Sequence, residues 1–167
     1  MDIAIIPTDD VPVRFAERIL YDEDFVIAMR AGHPFGSEPT LQRFCAMQHL
    51  VVPLSGDAHG FVDEFLAKQG YSRRIALTVP NFMFALTVIT EINLISALPR
   101  KFVATHGGRF GVVSMEAPLP LDPSRVRAIA PKVALMDAGL AWLFGLIGKA
   151  QAAPKRDKRS PRRKRLS

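Results

Sequence analysis

The chain has 167 residues and is 49% apolar, which is enough for a packed core and excludes a body without fixed structure. Its net charge of +6 is uneven: Lys155 to Arg165 holds eight basic residues and one acid, Asp157, so this stretch carries +7 and the remainder −1. The charge therefore describes a tail and excludes a basic binding face on the folded body. Cys45 is the only cysteine, so an intrachain disulfide framework and a Cys-based zinc cluster are excluded, and a reducing cytosol fits.

At the start, Met-Asp-Ile-Ala-Ile-Ile-Pro has neither a basic region nor a long apolar one and does not read as a signal peptide. Asp2–Ile6 reads as a short buried strand that ends at Pro7. Arg14–Leu20 and Phe25–Arg30 carry apolar residues at strand spacing. Gly32-His33-Pro34 makes a turn, and Thr40 caps a short helix over Leu41–Met47. His49–Pro53 is an apolar strand of the kind found inside parallel sheets. Ser55-Gly56-Asp57 turns it into a helix whose apolar face is Phe61, Val62, Phe65 and Leu66 and which stops at Gly70.

The next stretch, Gly70–Phe82, anchors the reading. Ile75, Leu77 and Val79 alternate with Ala76 and Thr78 as in a strand. Pro80 ends the ladder because it has no N–H, and Asn81 caps an apolar helix over Phe82–Glu91, expected to be buried. Asn93–Leu98 is a further strand. Pro99 suits the first helical position, and Arg100–His106 is a short helix closed by Gly107-Gly108. Gly111–Met115 and Ser124–Ala130 read as strands around a connector, Ala117–Asp122. Asp137 caps a last helix, Ala138–Lys149. Its apolar run is shorter than the roughly 20 residues that span a membrane. From Gln151 onward the composition predicts disorder.

Strands and helices alternate from residue 48 to residue 115, which predicts βαβ units around a mostly parallel sheet. Three corners, Pro53–Asp57, Pro80–Phe82 and Leu98–Arg100, then face one sheet edge. Their helix N-termini suit an anion, most simply a carboxylate.

An ordered series of residues also resembles a known family. His33-Pro34, then Gly60-Phe61-Val62-Asp63 with Leu66 and Gly70, then Arg73 to Phe82, then Leu98-Pro99-Arg100 resemble the effector-binding domain of LysR-type transcriptional regulators, nearest the nodulation protein D branch. The resemblance implies a periplasmic-binding-protein-like α/β fold, with one complete subdomain and part of a second. Residues 1–30 would form part of the first subdomain and a crossing strand. Residues 31–117 would form the complete second subdomain, 118–150 the crossing back and C-terminal helix, and 151–167 the basic tail. Phe25–Arg30 and Pro118–Leu121 would be the crossings. In such proteins the effector lies between the subdomains and the regulator is usually an oligomer of dimers. The stretch read here lacks the family's N-terminal helix-turn-helix. Ala130, Pro131, Val133 and Ala138 stand where the family's tail has Trp, His, Arg and Pro.

The candidate effector-binding residues are Ser55, Gly56, Asn81, Phe82, Pro99 and Arg100. Ser55 and Gly56 can give a hydroxyl and a backbone N–H to a carboxylate, or form an ordinary turn. Asn81 and Phe82 can touch a ligand, or only cap and pack. Arg100 can pair with a ligand anion, or be an exposed arginine at a helix start. His33, His49, His59 and His106 have no metal-ligand spacing, and Ser55 with His59 forms no nucleophile elbow. No Gly-rich phosphate loop is present. The expectation is therefore a cytoplasmic, non-enzymatic ligand sensor without metal or cofactor, acting as a homo-oligomer or beside an intact relative, and reaching DNA only through the family's N-terminal domain. The rival is a truncated interaction or dimerisation protein without effector, a decayed gene copy. The basic tail offers weak, non-specific contact with nucleic acid or an anionic membrane, or is simply solvated.

Overall fold

The computed structural model describes residues 2–53 and 61–152. The chain forms two compact units. One holds the residues up to Tyr21 together with those from Val126 onward, and the other is Asp22–Arg125.

The first unit contains β1 (Ala4–Pro7), most of β2 (Phe15–Glu23) and most of β8 (Ser124–Pro131), in the sheet order β1-β8-β2. β1 pairs antiparallel with β8, Ala4 opposite Ile129 and Pro7 opposite Val126. Helix α5 (Ala138–Ala152) completes the unit, and Asp137 Oδ1 accepts the Leu140 N–H at 2.9 Å as its cap. α5 runs through Gln151 and Ala152, two residues expected in the disordered tail; the rest of the tail lies outside the described residues. The core here is small: Ala128, Ala130 and Phe144, with Ile3, Leu20 and Ile147 against them. The expected buried strand at the start is found at 4–7, but Ile5 and Ile6 are exposed. The reason is its place as an edge strand, laddered to β8 alone among the described residues.

The second unit is built on β3 (Phe25–Arg30), whose first five residues are all buried. β3 lies between β6 (Ser96–Pro99) and β7 (Val112–Met115) and pairs antiparallel with both. β4 (Gln48–Val51) pairs parallel with β5 (Arg74–Thr78). A parallel bridge from His49 to Ile95 joins that pair to β6. The strands thus follow the order β5-β4-β6-β3-β7. Four of the five run the same way, as a mostly parallel sheet requires, and β3 alone runs against them.

The division into units falls at other places than the expected crossings. Phe25–Arg30 and Pro118–Leu121, expected as crossings, both lie inside the second unit. The chain changes unit inside β2, between Tyr21 and Asp22, and inside β8, between Arg125 and Val126.

Alternation along β3 shows why its run is apolar throughout. Val26 and Ala28 face one core with Leu86 and Ile89 of α3 (Phe82–Glu91) and Val103 of α4 (Arg100–His106). Ile27 and Met29 face the other with Phe44 of α1 (Leu41–Ala46) and Val62 and Leu66 of α2 (Phe61–Lys68). A strand covered by helices on both faces has no polar side to offer. Thr40 caps α1 as expected, accepting the Arg43 N–H at 3.3 Å. Gly70, with φ 75°, follows α2 in the left-handed conformation that favours glycine. Among the described residues, no helix is long and apolar enough to cross a membrane.

Candidate functional site

β4, β5 and β6 run parallel, so their carboxyl ends lie on one edge of the sheet. Asn81 and Phe82 follow β5 there, and Pro99 and Arg100 close β6 and open α4. β4 stands between them, which puts the two corners roughly 10 Å apart, two strand spacings. Ser55 and Gly56 follow β4 and lie outside the described residues.

Asn81 holds an extended backbone and its Oδ1 accepts the Phe84 N–H at 2.9 Å, so it caps α3. α3 covers the expected residues, yet it is buried on one side only. Ala85, Leu86 and Ile89 are buried, while Met83 and Phe84 are exposed. Pro80, Asn81, Met83, Phe84 and Thr87 line an open cavity of about 410 Å³ on that outer side. Phe82 does not line it. Its ring packs on Phe102 at 5.6 Å between centroids, half-buried against the core.

The α4 corner is different. Pro99 is the N-cap of α4 and the last residue of β6, not the first helical residue as expected; its ψ of 127° is extended because it still pairs with Phe25. Arg100 opens the helix. Its guanidinium fork grips Glu116, with Nη1–H donating to Oε1 at 2.7 Å and Nη2–H to Oε2 at 2.8 Å. Asp24 Oδ2 lies 3.9 Å from Nε. The hydrogen bond from Arg100, with its charge, holds the Glu116 carboxyl below the usual carboxylate range, and Glu116 in turn raises the basicity of Arg100. These three residues line a cavity of about 300 Å³ with Phe25, Ala117, Leu119, Pro120 and Leu121.

At the two corners that lie among the described residues, backbone donors of the helix N-termini are spent within the fold. The Arg100 N–H donates to Asp24 O at 2.7 Å. Glu23 accepts from the Lys101 backbone N–H, and burial raises its pKa even so. Asn81 serves Phe84. Of the candidate residues among those described, Arg100 is the one with a cationic side chain.

Sequence reading missed Asp24 and Glu116 as neighbours of Arg100. The usable signal is the direction of β3: once Phe25 pairs with Pro99 and Ile27 with Met115, the start of β3 must lie beside the ends of β6 and β7.

A second polar cluster was also missed. Arg73 forks onto Asp63 at 2.9 and 2.6 Å, and its Nη1 lies 3.5 Å from His49 Nδ1. His49 Nε2 bonds Phe44 O at 2.8 Å, which sets Nε2 as the protonated nitrogen. Burial lowers the His49 pKa from 6.5 to about 4, so the ring is neutral at pH 7. The cluster ties α1, β4 and α2 together and is structural. Among the described residues, no group of three His, Cys, Asp or Glu is placed to hold a metal ion.

Two α/β units, one of them a sheet wrapped on both faces by helices with a small cavity at the carboxyl ends of its strands, define the architecture of a periplasmic-binding-protein-like effector domain. Residues 1–152 match the family model described as LysR substrate binding domain, and the chain belongs to that family. It is 30% identical over 148 residues to the HTH-type transcriptional activator NahR of Pseudomonas putida, covering 88% of this chain and 49% of that protein. It is 24% identical over 149 residues to nodulation protein D 1 of Rhizobium tropici, covering 88% and 48%. The chain thus spans about half the length of these relatives. Among solved structures, the regulatory domain of MexT, a transcriptional activator in Pseudomonas aeruginosa, superposes with a TM-score of 0.74 at 23% identity, covering 89% of this chain and 72% of that one. The effector-binding domain of QuiR in complex with shikimate gives 0.74 at 13% identity, covering 90% and 72%. The family is one of transcriptional regulators and is not enzymatic.

Proposed function

We propose that this chain is the ligand-sensing part of a LysR-type regulator and that it binds a small carboxylate at the carboxyl edge of its second unit. The observation that carries this is Arg100: a guanidinium 42% exposed, at the end of β6, in a cavity large enough for a small molecule. An arginine fork matches the two oxygens of a carboxylate. The lining is mostly polar, with a smaller apolar part from Phe25, Leu119, Pro120 and Leu121, which suits a small polar acid. Shikimate, the ligand of the structurally similar QuiR domain, is itself a carboxylate. Asn81 and Phe82 flank the same edge, and Ser55 and Gly56, which follow β4 in the sequence, are further candidates. Binding would bias the conformation of the sensing domain, and in a full regulator DNA contact would come from a helix-turn-helix.

Calorimetry with benzoate, phenylacetate, acetate and shikimate tests this. Saturable heat with at least one acid is expected, lost in Arg100→Gln. Silence with all four on a folded sample contradicts it.

The rival reading is an interaction protein without effector. It is favoured by the exposed Ile5, Ile19, Trp142, Leu143 and Leu146 of the first unit. Light scattering separates the two. A monomer at micromolar concentration disfavours the rival, while a stable dimer that ignores every acid supports it.

A further inference from the structure

The Arg100 fork is already occupied. Its end-on face is taken by Glu116 through two short hydrogen bonds, and its Nε side turns toward Asp24. A carboxylate entering the cavity therefore meets two acids and one guanidinium whose paired N–H groups are engaged. Glu116 is also free to leave. It sits one residue past the end of β7, at the start of the connector, and its side chain is 76% exposed. Exposed ion pairs of this kind hold weakly, because water and salt compete for both partners.

We infer that Glu116 is an internal occupant of the anion site: it closes the Arg100 fork in the ligand-free chain, and a carboxylate binds by displacing it into solvent. This rests on the reading that Arg100 receives the ligand. Two consequences follow from the charges. Residue 116 sets the affinity, since the ligand must outcompete a tethered carboxylate. Asp24 stays behind after Glu116 leaves, so the site favours a monocarboxylate over a dicarboxylate.

The test is calorimetry with benzoate and phthalate on the wild-type chain, Glu116→Gln, Glu116→Ala and Asp24→Asn. Thermal melts check that each variant folds. Expected are benzoate binding about two- to tenfold tighter in both residue-116 variants, a smaller gain in Asp24→Asn, and a gap that narrows as salt rises. Benzoate binding that is equal or weaker in both residue-116 variants overturns the inference and leaves the Arg100 reading standing. No heat with any folded chain removes both. Tighter phthalate than benzoate binding in the wild type overturns the monocarboxylate preference.

Discussion

Arg73–Asp63 and Arg100–Glu116 are both forked arginine–carboxylate pairs, with closest contacts of 2.6 and 2.7 Å, yet their surroundings are opposite. The side chains of Arg73 and Asp63 are 3% and 16% exposed; those of Arg100 and Glu116 are 42% and 76% exposed. Taking two charges out of water is costly, so a buried pair persists only when it is complete and its spare donors are used. Arg73 meets that condition through Asp63 and His49. An exposed pair loses little when it opens. The same two side chains therefore make a fixed tie between elements in one place and a replaceable contact in the other.

Breaking the buried pair should have the largest effect. Asp63→Ala leaves a buried guanidinium without its counter-charge and should cost about 3–5 kcal/mol in urea unfolding. A loss under about 1 kcal/mol would mean that Arg73 relaxes into water and that the two pairs are alike after all.

Acid should sharpen the contrast. His49 is held neutral, with its pKa lowered from 6.5 to about 4. Between those values the unfolded chain binds more protons than the folded one, so stability is full above about pH 6.5 and falls as pH drops toward 4. The loss amounts to about 3 kcal/mol across the window. Burial lowers the His33 pKa too and adds a loss of the same sign. Unfolding free energies at pH 7, 5.5 and 4.5 check this, and a flat profile would contradict it.

A smaller effect is expected at the other corner. Asn81→Ala removes the acceptor for the Phe84 N–H and should destabilise by about 1 kcal/mol. If Asn81 also touches ligand, benzoate affinity drops with it; if Asn81 only caps, affinity holds. The smallest effect belongs to the exposed pair. Glu116→Gln should leave the thermal midpoint unchanged, and a clear drop would make that pair structural.

Much of this contrast lies beyond what a sequence displays. Local signals were legible. Phe82–Glu91 and Arg100–His106 are helices with the bounds their caps and apolar spacing predict, and Phe25–Arg30 is a strand with the bounds predicted. Asn81, Thr40 and Asp137 cap as their types suggest. What periodicity cannot carry is pairing across the fold. Asp63 lies on a helix and Arg73 just before a strand, and nothing in their spacing says that they meet beside His49. Likewise Glu116 reaches Arg100 only because β3 runs against its neighbours, and an alternating strand–helix pattern does not reveal one reversed strand. Burial does not follow from an apolar run alone: Ile5 and Ile6 on the edge strand β1, and Met83 and Phe84 on the outer side of α3, are apolar yet exposed.

The central claim is that a small acid is recognised at the end of β6. An amide and arginine side-chain NMR titration of the whole chain with benzoate tests it most directly. The account predicts saturable shifts at the Arg100 Nε–H and at the amides of Arg100, Lys101 and Glu116, with His49 and Arg73 unmoved. Shifts confined to the first unit, or none at Arg100 at saturating benzoate, would contradict it.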